Sequence, residues 1–202
     1  MMKKLSLILT FLMFIPVVSY VFLVVYFSVN IPYMDDYRFF EHINISDSYL
    51  RFQHLFAQHN EHRIVWNGLI TEFCYIVFGK INFDFLIYMG NLGLLIFFFF
   101  LLKIFKEKKI YMPIFIPVSY LLFNPQGWEN MTWSMASLQN YYVLLFALLT
   151  LYFWNKKISY GYIAAWFFGA MTAYTSANGL LMLLVLLIFQ LMDFAKEYKI
   201  SV

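Results

Sequence analysis

The sequence predicts an all-α, polytopic membrane protein, and two observations carry that prediction. Hydrophobic residues make up 63% of the 202 positions and charged residues only 12%, whereas soluble domains have about 25% charged residues. Several apolar runs approach the roughly 20 residues that a helix needs to cross a bilayer. The single cysteine, Cys74, excludes an internal disulfide and a cysteine cluster for zinc or iron–sulfur binding. We therefore expect a single transmembrane domain spanning residues 1–202.

The first predicted element is an uncleaved membrane span. Lys3 and Lys4 precede the apolar run Leu5–Val29. This run is longer than the apolar core of a secretory signal, about 7–15 residues, and it has no small-residue cleavage site. The two lysines place the N-terminus in the cytoplasm by the positive-inside rule, so the segment that follows lies outside.

The longest polar interval of the chain comes next, and we interpret residues 30–82 as a large extracytoplasmic loop. It holds an adjacent aspartate pair, all four histidines and all three arginines of the protein. These residues are Asp35, Asp36, His42, His54, His59, His62, Arg38, Arg51 and Arg63. Any reactive groups are expected here, since the rest of the sequence resembles an apolar scaffold.

Within this loop, the segment Ile64–Phe78 predicts a helix that lies on the membrane surface. It has 15 residues and is interrupted by Asn67, Thr71 and Glu72, so it is short for a span. Gly79 is suited to ending a helix in the left-handed conformation. An apolar helix with a polar stripe of this kind is typical of an interfacial helix.

Charge distribution then selects the topology. With Ile64–Phe78 flat on the outer surface, ten of the fourteen basic residues fall on the cytoplasmic side, as the positive-inside rule requires. The alternative, in which this segment crosses, would turn the KIFKEKK cluster outward. About six spans result, with both ends inside, in the inner or plasma membrane. They are Leu5–Val29, Phe83–Leu102, Ile110–Phe123, Trp133–Trp154, Ile158–Ala177 and Gly179–Met192.

Two of these predicted spans are short. Ile110–Phe123 contains Pro113 and Pro117, and Gly179–Met192 has 14 residues. Short or broken helices at membrane depth are tolerated where they face a protein cavity. The alternative is that the predicted boundaries are several residues out.

The polar residues concentrate on the predicted outer face. Eight of the eleven acidic residues lie there, and the segments Asn124–Asn140 and Thr175–Gly179 join the first loop on that side. The spans are almost free of ionisable residues, whereas ion transporters carry such groups near the bilayer midplane. The pattern argues against ion transport.

The aspartate pair has two interpretations. Two adjacent carboxylates can bind a divalent cation, or one of them can act as a general base. A shared role requires an extended or turn backbone, because adjacent side chains diverge on a helix. The alternative for Asp35 and Asp36 is a polar helix cap at the membrane exit.

The HNEHR stretch also has more than one interpretation. On a helix, His59 and His62 would share a face and could share a metal ion, although zinc would need a third ligand. Arg63 could instead bind an anionic head group. The simplest alternative is a polar first turn of the interfacial helix.

Two later segments complete the outer face. Trp128 is followed by Glu129, and an aromatic ring beside a carboxylate suits a sugar, although tryptophans also form belts at the membrane interface. Ser176 and Asn178 are suited to capping the last span.

The series MDDY (Met34–Tyr37), HNEHR (His59–Arg63), GWEN (Gly127–Asn130) and SANGL (Ser176–Leu180) resembles a group of uncharacterised bacterial membrane proteins. The order of the elements resembles the GT-C superfamily of integral-membrane glycosyltransferases. The resemblance implies a first span leading into a large extracytoplasmic loop, with an acidic motif near its start and interfacial helices. It also implies transfer of a sugar from a polyprenyl-phosphate donor to a glycan or lipid acceptor of the cell envelope. Members are longer, so three alternatives are open: the chain is the N-terminal part of a longer protein, a truncated reading frame or a minimal N-terminal module.

The resemblance also implies site residues and partners. Asp36 is the preferred general base, with Asp35 as the other candidate, and Arg63 would stabilise the phosphate leaving group. The implied substrate-binding residues are Arg38, His59, Glu61, His62, Arg63, Trp128, Glu129, Asn130, Ser176 and Asn178. The resemblance assigns no particular cofactor, and a divalent cation, Mg²⁺ or Mn²⁺, held by the two aspartates is the alternative means of stabilising the leaving group. Expected partners are membrane lipid, the donor, the acceptor and a second membrane subunit, but no nucleic acid. The rival function is a non-catalytic module that binds lipid-linked glycan or a partner subunit.

Overall fold

The computed structural model describes residues 2–200, with side chains from 7 to 196, and this part of the chain is helical without a β-strand, as the sequence predicted. Short 3₁₀ turns lie in several of the connections between the α-helices. The ten α-helices of the described residues are α1 Met2–Phe27, α2 Tyr37–Ile43, α3 Ser48–Leu55, α4 Val65–Phe78, α5 Phe83–Glu107, α6 Phe115–Leu122, α7 Trp128–Thr132, α8 Ser134–Trp154, α9 Ser159–Thr175 and α10 Leu180–Ile200.

Four segments of the described chain are long and apolar enough to cross a membrane. They are Leu7–Phe27, Phe83–Glu107, Ser134–Trp154 and Ala177–Lys196, with 20 to 25 residues each. Repeated apolar helices of this length indicate a multi-pass membrane protein. Helix α4 has 14 residues and ends at Gly79, whose φ of 67° is left-handed, so its predicted extent and C-cap are confirmed.

Helices α5 and α8 form the centre of the bundle and run parallel. Gly90 lies against Ser137 near the start of both helices, and the Phe100 and Tyr152 rings meet 4.8 Å apart near their ends. A Cβ at Gly90 would lie 2.1 Å from the Ser137 hydroxyl. Small residues at such a crossing let two backbones approach closely.

Helix α9 returns along α8, and α10 turns back again. The Phe153 and Phe168 rings stack 5.6 Å apart near the end of α8. At the other end of the pair, Gln139 Nε2 donates a hydrogen bond of 3.2 Å to Ser176 Oγ. Lys157, just beyond α8, pairs with Asp193 on α10. The starts of α8 and α10 therefore lie at the same end of the bundle.

Helix α1 runs antiparallel to α5. The Tyr20 hydroxyl donates to Asn91 Oδ1 at 2.7 Å, and the Ser28 and Tyr88 hydroxyls lie 2.8 Å apart. The side chain of Asn91 also donates to the Met131 carbonyl oxygen at 2.9 Å. This amide holds α1, α5 and the end of α7 together.

The segment between α5 and α8 runs back along the bundle as several short helices. Two of the spans predicted from the sequence therefore have different extents in the structure. The predicted span Ile110–Phe123 is helical only over eleven residues, as a 3₁₀ turn, Met112–Ile114, that continues directly into the eight-residue α6. Pro113 lies in the 3₁₀ turn and Pro117 in the first turn of α6, where proline is tolerated because the backbone N–H groups there have no partner within the helix. The expected 14-residue span Gly179–Met192 is also too short, since α10 continues to Ile200. The polar residues that follow Met192 do not end α10, because polar side chains are compatible with a helix.

The bundle has two chemically different ends. The carboxylate end holds Asp35 and Asp36 and the starts of α5, α8 and α10. The short helices α2, α3 and α4 form a cap there. The lysine end holds the opposite ends of those three long helices. Its described lysines are Lys103, Lys106, Lys108, Lys109, Lys156, Lys157 and Lys196.

Candidate functional site

Asp36 is the most completely hydrogen-bonded side chain of the carboxylate end. It is only 1% exposed. Its Oδ2 accepts from the Tyr33 backbone N–H at 3.1 Å, and its Oδ1 accepts from the Trp133 indole at 3.1 Å, the Ser134 hydroxyl at 2.6 Å and the Met135 backbone N–H at 3.0 Å. Since Met135 lies in the first turn of α8, Asp36 caps that helix from almost 100 residues away.

The environment of Asp36 sets its ionisation in two opposing ways. Burial raises the pKa of its carboxyl above the ordinary value, and the hydrogen bonds from Ser134, Tyr33, Met135 and Trp133 lower it. All four partners are donors, so both oxygens are occupied within the protein. This geometry gives Asp36 a structural role in joining the first loop to α8.

Asp35 has a different environment from its neighbour. Its side chain is 49% exposed, and its Oδ2 lies 3.6 Å from His59 Nε2. Met34–Asp36 form a 3₁₀ turn in which the two carboxylates diverge, so they do not act as a pair. Among the residues that the structure describes, no group of three or more His, Cys, Asp and Glu side chains is arranged to hold a metal ion.

The HNEHR stretch is a tight turn, so the prediction that His59 and His62 share a helix face is wrong. The two residues exchange backbone hydrogen bonds of 2.8 Å in each direction. Asn60 between them has a φ of 49°, a left-handed conformation that asparagine tolerates better than most residues. Helix α4 begins only at Val65. Directly opposed residues of such a turn project their side chains to one side.

His62 connects this turn to the segment before α10. Its Nδ1 accepts a hydrogen bond of 3.0 Å from the Ala177 backbone N–H, so a neutral ring carries its proton on Nε2. Ser176 is buried and its hydroxyl is bound by Gln139, while Asn178 is exposed in a 3₁₀ turn. Neither side chain caps that turn, so the capping prediction for Ser176 and Asn178 is wrong.

The arginines of the site differ in availability. Arg63 is exposed and has no ion-pair partner among residues 7–196. Arg38 has a side chain that is 16% exposed and lies 3.4 Å from Glu41. Glu61 has an 85% exposed side chain, with its Oε2 4.0 Å from His62 Nε2. Arg63 is therefore the cation most accessible to an anionic ligand beside this turn.

The GWEN segment lies at the carboxylate end but is separate from Asp35 and the HNEHR turn. Trp128 is 54% exposed and Glu129 is exposed, while Asn130 accepts from the Asn140 amide at 2.7 Å. Within residues 7–196, no hydrogen bond, ion pair or ring contact connects Trp128 or Glu129 to Asp35 or to the HNEHR turn. The structure thus brings three of the four sequence elements into contact.

Trp133 is part of the site, although the sequence interpretation placed it among the tryptophans of the interfacial belt. Its indole binds Asp36, and its ring meets the Tyr33 ring edge-on at 5.7 Å. A signal was present, because tryptophan at the N-cap of α8 is a poor capping residue. That position required an acceptor from elsewhere in the chain.

A second polar cluster holds the cap helices together. Arg51 on α3 binds Glu72 on α4 through both Nε and Nη2, the latter at 2.7 Å. His42 Nε2 on α2 lies 2.8 Å from the same carboxylate. The Nδ1 atoms of His42 and His54 are 3.1 Å apart, which requires a proton on one ring and none on the other. This cluster explains why Glu72 interrupts an apolar helix.

The stability of the cap is expected to fall on acidification. Burial lowers the pKa of His42 below its ordinary 6.5, with Glu72 opposing and Arg51 reinforcing the shift, and burial also lowers that of His54. Arg38 and Glu41 complete the charges facing His54. Groups with lowered folded-state pKa values stabilise the fold above pH 6.5, and this contribution is lost as the pH falls through those values.

Thermal unfolding of the detergent-solubilised protein between pH 7.5 and 5 measures this effect. His54→Asn is expected to flatten the acid-side fall, since the second titrating ring is gone. The control His59→Asn alters a histidine outside the cluster and keeps the fall. An unfolding temperature that does not change with pH in the wild type would contradict the prediction.

Taken together, the chain is an all-helical, multi-pass membrane protein with a small polar cap over one end. No family model, curated protein or solved structure matches it.

Proposed function

We propose that the chain crosses the membrane six times with the carboxylate end outside the cytoplasm. Consecutive long segments alternate in direction, and the interrupted segment 110–131 runs back from the lysine end to the carboxylate end. The lysines cluster at the other end, which the positive-inside rule assigns to the cytoplasm. Both ends of the described chain then face the cytoplasm, in an inner or plasma membrane.

We further propose that the carboxylate end transfers a sugar from a polyprenyl-phosphate donor to an envelope glycan or lipid. The observation that carries this proposal is the unequal environment of the aspartate pair. Asp36 is buried under four donors, whereas Asp35 is accessible and lies next to His59, in the turn that exposed Arg63 follows. This geometry favours Asp35 as the general base over Asp36.

The proposed reaction uses groups of the chain in defined roles. Asp35 accepts the proton of the acceptor hydroxyl while the acceptor oxygen bonds to the anomeric carbon. The bond from that carbon to the donor phosphate breaks, and its electron pair leaves with the lipid phosphate. Arg63 binds the phosphate oxygens, for which a planar guanidinium is suited, and Arg38 is the second candidate. Exposed Trp128 and Glu129 lie at the same end but contact none of these groups, so we assign them no role in this step.

A second function is favoured by another observation. Most charged groups of the cap are already paired with each other, as in the Arg51, Glu72 and His42 cluster. A cap built this way suits a non-catalytic module that binds lipid-linked glycan or a partner subunit. It predicts binding of polyprenyl phosphate without consumption of any donor.

Replacing Asp35 by asparagine tests the proposed function. We expect sugar transfer to fall by about 10²–10⁴-fold, the usual contribution of a positioned base, while binding of polyprenyl phosphate persists. The assay follows release of polyprenyl phosphate from a panel of polyprenyl-phosphate hexoses by purified protein in lipid. Asp47→Asn is the matched control, because it removes another exposed carboxylate of the cap but keeps an oxygen that can cap α3.

Each outcome of this assay has a defined meaning. Full activity in the Asp35→Asn protein would remove the assignment of the base. Binding without turnover of any donor in the wild type would replace the transferase with the binding module.

A further inference from the structure

A second feature of the molecule lies at the lysine end and takes no part in the proposed reaction. A cleft of about 710 Å³ opens between α5, α8 and α10. Leu148, Leu151 and Phe189 contribute its apolar wall. The wall belongs to helices that are long and apolar enough to cross a membrane, so the cleft borders the lipid.

The rim of the cleft carries an excess of positive charge. Four lysines line it, from three different parts of the chain, together with two carboxylates, which leaves a formal surplus of two positive charges. These residues are Lys108, Lys156, Lys157, Lys196, Glu107 and Asp193. A cationic rim above an apolar wall matches an amphipathic anion.

The two carboxylates of the rim are already engaged. Asp193 pairs with Lys157, and Glu107 lies 3.8 Å from Lys103 and accepts from the Tyr152 hydroxyl at 3.4 Å. The remaining cations stay available to a ligand. Lys108 and Lys196 have no ion-pair partner within residues 7–196.

Lys156 is held in place without being neutralised. Its ammonium lies 4.5 Å from the centroid of the Tyr152 ring, a cation–π contact. Such a contact orients the lysine over the cleft and leaves its charge for an external anion. The rim is therefore partly preorganised.

We propose that this cleft binds an anionic glycerophospholipid, with the phosphate at the lysine rim and an acyl chain along the apolar wall. Basic pockets between membrane helices are known to recognise anionic head groups, and the charge surplus supplies the complementarity here. A lipid without net charge would leave the surplus positive charge of the rim uncompensated. The inference does not depend on sugar transfer or on which side of the membrane the cleft faces.

The test measures binding of a fluorescent phosphatidylglycerol to the full chain in neutral detergent micelles. Unlabelled phosphatidylglycerol, phosphatidylcholine and inorganic phosphate serve as competitors. The cleft variant combines Lys108→Gln and Lys196→Gln, the two rim lysines without an ion-pair partner among residues 7–196. We expect affinity to fall roughly 25-fold, because each lysine near an anionic lipid contributes roughly a factor of five.

A matched variant controls for charge and for position at the same end. It combines Lys106→Gln and Lys109→Gln, which remove the same charge from residues that do not line the cleft. Retained affinity in this control, with competition by phosphatidylglycerol alone, supports the proposal. Equal losses in both variants would show diffuse attraction and overturn it. Competition by phosphatidylcholine, or by inorganic phosphate as strongly as by the anionic lipid, would also overturn it.

Discussion

Replacing Asp36 by alanine is expected to lower the free energy of unfolding by about 3 kcal/mol, the scale of a lost charged hydrogen-bonding group at a buried site. The change leaves four donors unpaired, including the backbone N–H groups of Tyr33 and Met135 and the buried Ser134 hydroxyl. It also removes the acceptor that caps α8, a contribution of about 0.5–2 kcal/mol within that total. Asp36→Asn should lose less stability, because the amide keeps one acceptor oxygen. Some loss remains, since the new amide N–H groups face hydrogen-bond donors.

Asp35→Ala is the matched control for this prediction, because it removes the adjacent carboxylate from a half-exposed position. We expect it to leave stability within about 0.5 kcal/mol, as surface substitutions usually do. Equilibrium unfolding in mixed micelles, followed by tryptophan fluorescence, gives both values. If Asp36→Ala proved as stable as Asp35→Ala, the capping role would be abandoned, and Asp36 would again be a candidate for the general base.

The pair of variants also separates structure from chemistry. The Asp35→Asn protein should fold normally and lose transfer, whereas Asp36 variants should lose both together. An Asp36→Asn protein that keeps its stability but loses transfer would reverse the assignment of the two aspartates. The comparison is decisive because the two residues are adjacent in sequence and differ mainly in burial.

Gly179→Ala is expected to produce the second large effect, a loss of about 3 kcal/mol, at the upper end of typical overpacking costs. A Cβ at this position would lie 2.0 Å from the Thr172 carbonyl oxygen and 2.2 Å from its carbon. These are backbone atoms of α9, so no side-chain rotation can relieve the clash. The turn before α10 would have to move, and with it Ala177, which donates to His62.

Gly127→Ala provides the matched control for that substitution. A Cβ at Gly127 would meet nothing within 4 Å, and its φ of −81° suits any residue. The same unfolding measurement should therefore show a difference of less than about 0.5 kcal/mol from the wild type. A Gly179→Ala protein that unfolds like the Gly127→Ala protein would mean that the α9–α10 turn is looser than its contacts indicate.

The local and periodic features of the chain could be predicted from the sequence. Apolar runs and low charge gave the helical class and the approximate positions of the long helices. The polar interruptions of α4 and the glycine after it gave its extent and its C-cap. These features are predictable because they depend on neighbours within a few residues, such as one helical turn or one capping position.

The details that define the candidate site could not be predicted in the same way. Asp36 binds residues 97 to 99 positions away, and no local pattern indicates which of two adjacent carboxylates is buried. The HNEHR stretch reads equally well as the first turn of a helix, and its pairing as a tight turn accompanies the contact of His62 with Ala177, 115 positions away.

The sequence alone therefore determined that this is an apolar helical protein whose polar groups gather in one loop and whose lysines gather elsewhere. The tertiary structure decided that one aspartate caps α8 while its neighbour stays accessible, and that the segment between α5 and α8 is interrupted. The physical reason is that burial and long-range hydrogen bonding depend on which helix ends meet in space. The composition of the sequence and the spacing of its residues constrain the contacts between helix ends only weakly.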